Sequence, residues 1–402
     1  MPDYKFISKI LPGYPDFLDL PWGRPLTDWK NHHPRLEEVQ HGISRHPIVF
    51  ANYEGRLFAI KELPENVAQR ENELLSHMDE LQLPSIKSIG YAILENNFGK
   101  YSVLFTRYLE SSIPYRSLFI SSAMDRYRTH LLDAIAGLLV QLHSSGFFWG
   151  DCSLSNILFR RDAGALQAYL VDAETAEFHL PRLSPMLRYH DLEIMQENIT
   201  DDLAELEASG IITVNYPIHE TGTYIQQRYR DLWNEITREE VIYENERYRI
   251  QERIRTLNLL GFSVSDVEIK NVDQGGKLKL RIFVSDRNFH RNQLIEITGL
   301  DAEENQARII MNELYELKAY LSQSGTPNIS MDAVAYHWLE HIYKPIIESL
   351  IPIKIKAAES GTNTDPIELY CQILEHKWYL SEHAQHDVGH QAAAEDFLQQ
   401  FG

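Results

Sequence analysis

Four polar residues of the sequence have types and spacing that suit one kind of chemistry. Lys61 lies in an apolar, strand-like run, Asp151 and Asn156 lie five positions apart after a long helical pattern, and Asp172 ends a second strand-like run. Phosphoryl transfer needs a cation on the nucleotide phosphates, a metal ion with oxygen ligands and a carboxylate that orients the acceptor hydroxyl. We therefore predict that Lys61 contacts the phosphates and that Asp151 orients the acceptor. Asn156 and Asp172 are the predicted ligands of the metal ion.

The ammonium group of Lys61 needs a carboxylate partner, because a lysine flanked by apolar residues on a strand either reaches solvent or pairs with an acid. Glu71 is the predicted partner, since it lies on the next helix one turn before Leu74 and Leu75, which the helical spacing buries. Glu73 is the alternative on the same helix.

Alternating and helical patterns predict the elements that hold these residues. They are hairpins over residues 46–63 and 91–109, helices over 67–81 and 124–147, and short strands over 156–160 and 168–172. Residues 191–207 carry acidic side chains and no basic one, with apolar residues at helical spacing, so a helix with a solvated acidic face is expected.

Four segments are predicted for the whole chain: an N-terminal arm (1–35) held by Trp22 and Trp29, a domain with the chemical residues (36–220), a bridging helical segment (221–260) and a C-terminal α+β module (261–402). In that module Asp301 with Glu304 has capping-box spacing. Two further helices are expected after Ser330 and after Asp365.

The motifs DCSLSN and VDAETAE resemble the bilobal protein-kinase-like superfamily over about residues 36–215. They are most similar to bacterial lipopolysaccharide-kinase-like proteins, and the stretch HRNQLIEITGLDAEENQAR resembles a C-terminal domain of unknown function found behind such a kinase domain. The resemblance implies an α+β fold with a small β-rich N-lobe, a helical C-lobe and a mostly helical C-terminal module. ATP and Mg²⁺ are the implied cofactors.

The same resemblance implies how ATP is held. Phe105–Glu110 would be the hinge that binds adenine through backbone groups, with Thr106 and Tyr108 inside it. A shortened glycine-rich loop would bring Gly42 and Arg45 to the phosphates, where the arginine charge replaces glycine amides.

Several positions depart from the kinase pattern. Trp149-Gly150 stands where His-Arg precedes the catalytic aspartate, Ser153 stands where many kinases have a lysine, and Ala173-Glu174 follows the metal aspartate instead of Phe-Gly. The sequence also has no Ala-Pro-Glu element, which slightly favours a non-peptide acceptor.

Three functions are consistent with these residues. The first is an ATP- and Mg²⁺-dependent phosphotransferase that acts on a hydroxyl acceptor, whether a sugar, another small molecule or a protein. The alternative is a nucleotide-binding pseudokinase with a regulatory or scaffold role. The third is an interaction protein with a vestigial cleft. In each case the C-terminal module is a candidate surface for a protein partner.

The composition limits the other partners. The 402 residues carry a net charge of −20, which disfavours nucleic acid and anionic membranes as partners. The two cysteines, Cys152 and Cys371, predict no disulfide framework. Neither a signal peptide nor an apolar stretch of membrane-spanning length is found, so a cytoplasmic protein is expected.

Two histidine patterns have a functional and a structural interpretation. His383, His386 and His390 have spacing for a zinc site, but Gly389 is expected to break the helix, which favours incidental histidines. His143, at the end of a helix, is expected to pack and to form hydrogen bonds rather than to act as a base.

Overall fold

The structure of the protein, a computed structural model, describes residues 4–29, 33–39, 45–96, 99–120, 124–180, 183–271, 277–323, 328–351 and 365–401. It divides into two units. Unit 1 consists of Met1–Arg160 and Ala168–Trp233, and unit 2 consists of Arg161–Gln167 and Asn234–Gly402. The four segment boundaries suggested by the sequence stay predictions.

An antiparallel six-stranded sheet forms the first part of unit 1, in the order β1-β5-β6-β4-β3-β2. Its strands are β1 (Tyr4–Ile10), β2 (Leu36–Glu37), β3 (Ile48–Tyr53), β4 (Arg56–Leu63), β5 (Ser88–Asn96) and β6 (Gly99–Arg107). The hairpin between β3 and β4 has positive φ at Glu54 and Gly55, as a tight two-residue turn requires. Lys61 lies on β4, between β3 and β6.

Residues 4–10 are part of this sheet, whereas the sequence predicted an arm over residues 1–35. Strand β1 pairs with β5 along its whole length. It is an edge strand with mostly exposed side chains, so it lacks the apolar alternation that identifies a half-buried strand. Trp22 and Trp29 are fully buried, as expected of anchors, and pack edge to face.

Helices dominate the rest of unit 1. They are α1 (Val67–Glu80), α2 (Tyr115–Ile120), α3 (Met124–Ser144), α4 (Pro185–Ala208) and α5 (Ile218–Thr237), the last of which continues into unit 2. The short strands are β7 (Ile113–Pro114), β8 (Phe147–Phe148), β9 (Ile157–Asp162), β10 (Ala165–Leu170) and β11 (Glu177–Phe178). Helix α4 buries the apolar residues expected from their spacing: Leu192, Met195, Ile199, Leu203 and Leu206.

Unit 2 combines a three-stranded sheet, in the order β12-β14-β13, with helices. The strands are β12 (Glu240–Tyr243), β13 (Val264–Asn271) and β14 (Lys277–Val284). The helices are α6 (Tyr248–Leu259), α7 (Phe289–Thr298), α8 (Glu304–Gln323), α9 (Met331–Trp338), α10 (Lys344–Ser349), α11 (Pro366–Ala384) and α12 (His390–Phe401), with a π-helical turn, Leu339–Tyr343, between α9 and α10.

The segment 221–260, predicted to be helical throughout, contains strand β12 between α5 and α6. Strand β12 pairs with β14, which lies far from it along the sequence. The sequence of the segment 221–260 therefore did not indicate a strand.

Helix starts in unit 2 agree with the sequence in two cases and differ in one. Ser330 and Asp365 cap α9 and α11 with their side chains, as predicted. The Asp301–Glu304 capping box is wrong: α8 begins at Glu304, whose carboxylate accepts the backbone N–H of His290 at the start of α7. Within the described ranges, no helix is both long enough and apolar enough to span a membrane.

Candidate active site

A cavity of about 430 Å³ in unit 1 brings the predicted chemical residues together. Its walls come from strands β3, β4 and β6, from the loops before β9 and after β10, and from helix α4. The polar residues that line it include Arg45, Lys61, Glu71, Asp151, Asn156, Asp172, Glu174, Asn198, Asp201 and Asp202. A cavity of this volume is within the usual range for a small-molecule site.

Lys61 pairs with two carboxylates at one end of the cavity. Its Nζ lies 3.3 Å from Glu71 Oε2 and 2.8 Å from Asp172 Oδ2. Glu71 Oε1 also accepts the backbone N–H of Ala173, at 3.3 Å. Helix α1 therefore joins Lys61 to the Asp172 segment through Glu71. Glu73, the alternative partner, is exposed and instead accepts from Gln69, at 3.0 Å.

Burial and neighbouring charges act in opposite directions on the pKa values of Lys61 and Glu71. Burial lowers the pKa of Lys61, but the neighbouring charges of Glu71 and Asp172 outweigh that effect and raise it, so Lys61 stays charged. Burial raises the pKa of Glu71 from 4.5 to about 7, although the Lys61 charge acts in the opposite direction. Glu71 is therefore a carboxylate that titrates near neutral pH.

Asp151 and Asn156 are in direct contact, as their spacing suggested. Asn156 Nδ2 donates to the backbone carbonyl of Asp151 at 3.0 Å and to Asp151 Oδ2 at 3.1 Å. Because the amide nitrogen is used in this way, Asn156 presents its carbonyl oxygen as the remaining acceptor. That oxygen is the type of ligand that Mg²⁺ prefers.

Helix α4 holds the loop around Asp151, a role that the sequence did not reveal. Asp191 is fully buried and accepts the backbone N–H groups of Trp149 and Gly150, both at 2.8 Å. Asn198 Nδ2 donates to Asp151 Oδ1 at 2.9 Å. Asp202 Oδ2 accepts the N–H of Leu154 at 2.6 Å.

The expectation that the acidic residues of 191–207 lie on a solvated face is therefore wrong for Asp191 and Asp202. With Asn198 they lie at i, i+7 and i+11, which places all three on one side of a helix with 3.6 residues per turn. This spacing of polar residues was the signal available in the sequence. The three residues lie beside the apolar stripe of α4, and the backbone N–H groups of the loop explain why two of them, Asp191 and Asp202, are carboxylates.

The imidazole of His143 is fully buried beneath the same loop. Its Nε2 lies 2.9 Å from Asp191 Oδ2, and its Nδ1 lies 2.8 Å from the hydroxyl of Tyr229. His143 lines no part of the cavity. The interpretation of His143 as a packing and hydrogen-bonding residue thus agrees with its position.

The positions that depart from the kinase pattern connect the Asp151 loop to the Asp172 segment. Trp149 Nε1 donates to the carbonyl of Asp172 at 3.0 Å, and Thr175 Oγ1 donates to the carbonyl of Trp149 at 2.9 Å. Gly150 has φ of +76°, and an added Cβ would lie 2.9 Å from the Phe148 ring. A glycine is therefore required directly before Asp151.

Asp202 carries a perturbed carboxyl group. Burial raises its pKa from 3.8 to about 6, against the opposing effect of the backbone N–H groups of Leu154 and Ser155. Asp202 binds the loop backbone through those N–H groups, so a change in its protonation state affects how firmly the loop is held.

Most of the residues predicted to contact the nucleotide line the cavity, and one lies outside the described residues. Thr106 and Tyr108 line the cavity, and the Tyr108 ring packs edge to face on Phe50 as an apolar wall. The Tyr108 N–H donates to the carbonyl of Leu57 at 2.9 Å, so this amide is bonded within the protein. Arg45 lines the cavity, and Gly42 lies outside the described residues.

The residues that could hold a metal ion form a partial set. In the described part of the chain, no group of three or more His, Cys, Asp or Glu side chains converges as a metal site. Asp172 Oδ2 contacts Lys61, and its Oδ1 accepts the N–H of Glu174 at 3.0 Å. The donor set therefore comprises Asp172 and the Asn156 amide oxygen, which suits a hard cation whose other ligands are phosphates and water.

The histidines considered as a zinc site and the thiol of Cys152 lie in different surroundings. The described histidines His383, His386 and His390 do not share a helix face, because α11 ends at Ala384 and His390 begins α12, where it pairs with Glu313. Cys152 is fully buried, and burial raises its thiol pKa well above 9.0, which makes it a poor nucleophile.

Two family models match separate parts of the chain. Residues 56–214 match the lipopolysaccharide kinase (Kdo/WaaP) family, and residues 231–401 match a domain of unknown function, DUF4032. Among solved structures, WaaP in complex with acyl carrier protein is similar at 13% identity and a TM-score of 0.35, covering 56% of this chain and 99% of that chain. The search of curated proteins found no significant match.

These matches confirm the resemblance on which the sequence analysis relied. They also confirm the expected fold class, a kinase-like α+β fold with a β-rich N-lobe and a helical C-lobe, followed by a mostly helical α+β module.

Proposed function

We propose that this chain, which joins a lipopolysaccharide-kinase-like domain to a C-terminal domain of unknown function, is an ATP- and Mg²⁺-dependent phosphotransferase. The acceptor is a hydroxyl group of a sugar, another small molecule or a protein. One observation carries the proposal: Lys61 Nζ lies within 3.3 Å of both Glu71 and Asp172, on the wall of a cavity that also contains Asp151 and Asn156.

In this proposal each residue has one role. Lys61, positioned by Glu71, binds the nucleotide phosphates, and Arg45 adds a second cation at the cavity wall. Asp151 orients the acceptor hydroxyl and accepts its proton. Phe50 and Tyr108 supply an apolar wall for a flat base.

The charge of the cavity supports the use of a divalent cation. Carboxylates of Asp151, Asp172, Glu174, Asp201 and Asp202 line it. A triphosphate entering such a cavity is repelled unless a cation screens the carboxylates. Asn156 and Asp172 would hold Mg²⁺, which neutralises phosphate charge during transfer.

Thermal unfolding of the purified protein with ATP, with and without Mg²⁺, tests nucleotide binding first. A ligand at a hundredfold excess over its Kd stabilises the native state by about 2.7 kcal/mol. We expect Mg²⁺-dependent stabilisation that is lost in Lys61→Met and in Asp172→Asn. Lys87→Met and Asp79→Asn are matched controls, since this exposed ion pair lies outside the cavity.

Transfer itself is tested with γ-labelled ATP and a panel of hydroxyl acceptors. We expect label transfer or ATP hydrolysis that Asp151→Asn reduces without reducing the stabilisation by ATP. Unchanged turnover in Asp172→Asn would contradict the proposal.

A nucleotide-binding pseudokinase is the second candidate, and one observation favours it. Both carboxylate oxygens of Asp172 are engaged, one by Lys61 and one by the N–H of Glu174, while the Glu174 carboxylate lies in the cavity and pairs with His46 at 3.3 Å. Saturable ATP binding with no turnover on any acceptor would favour this function.

Location and partners belong to the same proposal. A kinase that consumes ATP acts where ATP is supplied, so we place the protein in the cytoplasm. The DUF4032 segment is the proposed surface for a protein partner.

A further inference from the structure

We propose that Asn198 is a positioning residue that directs the carboxylate of Asp151. This inference rests on the proposed function, because it assigns to Asn198 the orientation of the group that meets the acceptor. Asn198 Nδ2 lies 2.9 Å from Asp151 Oδ1, and both residues line the cavity. A carboxylate only accepts hydrogen bonds, so the amide NH₂ of Asn198 must be the donor.

Two amides hold the Asp151 carboxylate, one at each oxygen. Asn198 reaches Oδ1 from helix α4, and Asn156 reaches Oδ2 at 3.1 Å from within the same loop. Asn156 also bonds the Asp151 backbone carbonyl, so its amide moves with the loop. Among the described residues, Asn198 is the one whose hydrogen bond ties the carboxylate to a separate element, helix α4, and this contact fixes the side-chain direction relative to the cavity wall.

The backbone of the loop is held independently of Asn198. Asp191 binds the N–H groups of Trp149 and Gly150, and Asp202 binds the N–H of Leu154. Removing the Asn198 amide therefore leaves those contacts in place and releases Asp151 Oδ1, while Asn156 still holds Oδ2. A structural role and a positioning role thus predict different results for the same substitution.

Charged side chains from several elements line the cavity that contains Asp151. Asp201 and Asp202 lie on α4, Asp172 and Glu174 follow β10, and cationic residues come from the sheet side: Arg45, His46, Lys61 and Arg107. Amid these charges, the hydrogen bond from Asn198 supplies a fixed, directional contact to Asp151. A leucine at position 198 removes the amide donor without adding a charge.

The test uses the full chain with ¹³C-labelled aspartate, and the Asp151 carboxyl resonance is assigned by its loss in Asp151→Asn. In Asn198→Leu, measured at one fixed pH, we expect this resonance to move from its wild-type position, since the carboxylate loses the donor that fixes its direction. Asn198→Gln, which retains an amide donor, should restore most of the wild-type behaviour. Glu197→Gln, an exposed neighbour on α4, should change nothing.

Kinetics supply a second readout. In Asn198→Leu we expect the rate of phosphoryl transfer to fall about tenfold or more, while stabilisation by ATP and Mg²⁺ stays unchanged. An Asp151 carboxyl resonance that stays at its wild-type position in Asn198→Leu would overturn the inference, whether or not the protein is active. Absence of transfer in the wild type would instead overturn the proposed function, and the position of the carboxyl resonance would still decide the role of Asn198.

Discussion

Substitution of Glu71 by glutamine should reveal the buried carboxylate through the pH dependence of stability. The side chain of Glu71 is fully buried, and burial raises its pKa from 4.5 to about 7. The native state therefore binds the Glu71 proton more tightly than the unfolded state does. This contribution to stability is fully present below pH 4.5 and is lost as the pH rises through about 7.

The magnitude follows from the change in pKa, which corresponds to about 3 kcal/mol. Glutamine has a similar shape and cannot titrate, so Glu71→Gln lacks this term. The unfolding free energy of the wild type, measured relative to Glu71→Gln, should fall by about 3 kcal/mol between pH about 4 and about 8. Glu71→Gln should therefore be relatively most stable at the alkaline end.

Urea unfolding of both proteins across this pH range measures the difference directly. Glu73→Gln is the matched control, because Glu73 lies on the same helix but is exposed, and it should show no such slope. A difference that does not change with pH would refute the argument from burial. A slope of the opposite sign would show that the Lys61 charge outweighs burial and depresses the Glu71 pKa.

Three further substitutions test contacts that hold the Asp151 loop and the start of helix α8, and a labelling experiment tests the burial of Cys152. Asp191→Ala should lower the unfolding free energy in urea by about 3 kcal/mol or more, because it leaves two buried N–H groups unbonded. Gly150→Ala should cost at least about 1 kcal/mol in the same assay, since φ is +76° and the added Cβ meets Phe148; a neutral result would contradict this geometry. Asp162→Ala should cost about 2 kcal/mol, because Asp162 accepts backbone N–H groups at the start of α8. Cys152 should resist alkylation until the protein unfolds, which mass spectrometry after iodoacetamide treatment measures.

Much of the candidate site was predictable because its residues are tied to local patterns. Lys61 lies on an alternating strand, and Glu71 lies on the core side of an amphipathic helix, where the spacing of the leucines places it. Asp151 and Asn156 are close in sequence, so a short loop brings them together. Pairings over long sequence separations were not predictable in the same way. No local sequence pattern indicates that β1 joins the edge of the sheet or that β12 pairs with β14.

The sequence by itself determined the chemical residue types, their order along the chain and the helices and strands that carry them, because side-chain spacing and turn residues act locally. Only the tertiary structure decided which carboxylates of helix α4 face solvent and which are buried. Asp191 and Asp202 lie in the same acidic stretch as their exposed neighbours, but backbone N–H groups of the Asp151 loop lie against their side of the helix. A buried N–H group requires an acceptor, and that requirement exists only once the loop and the helix have packed together.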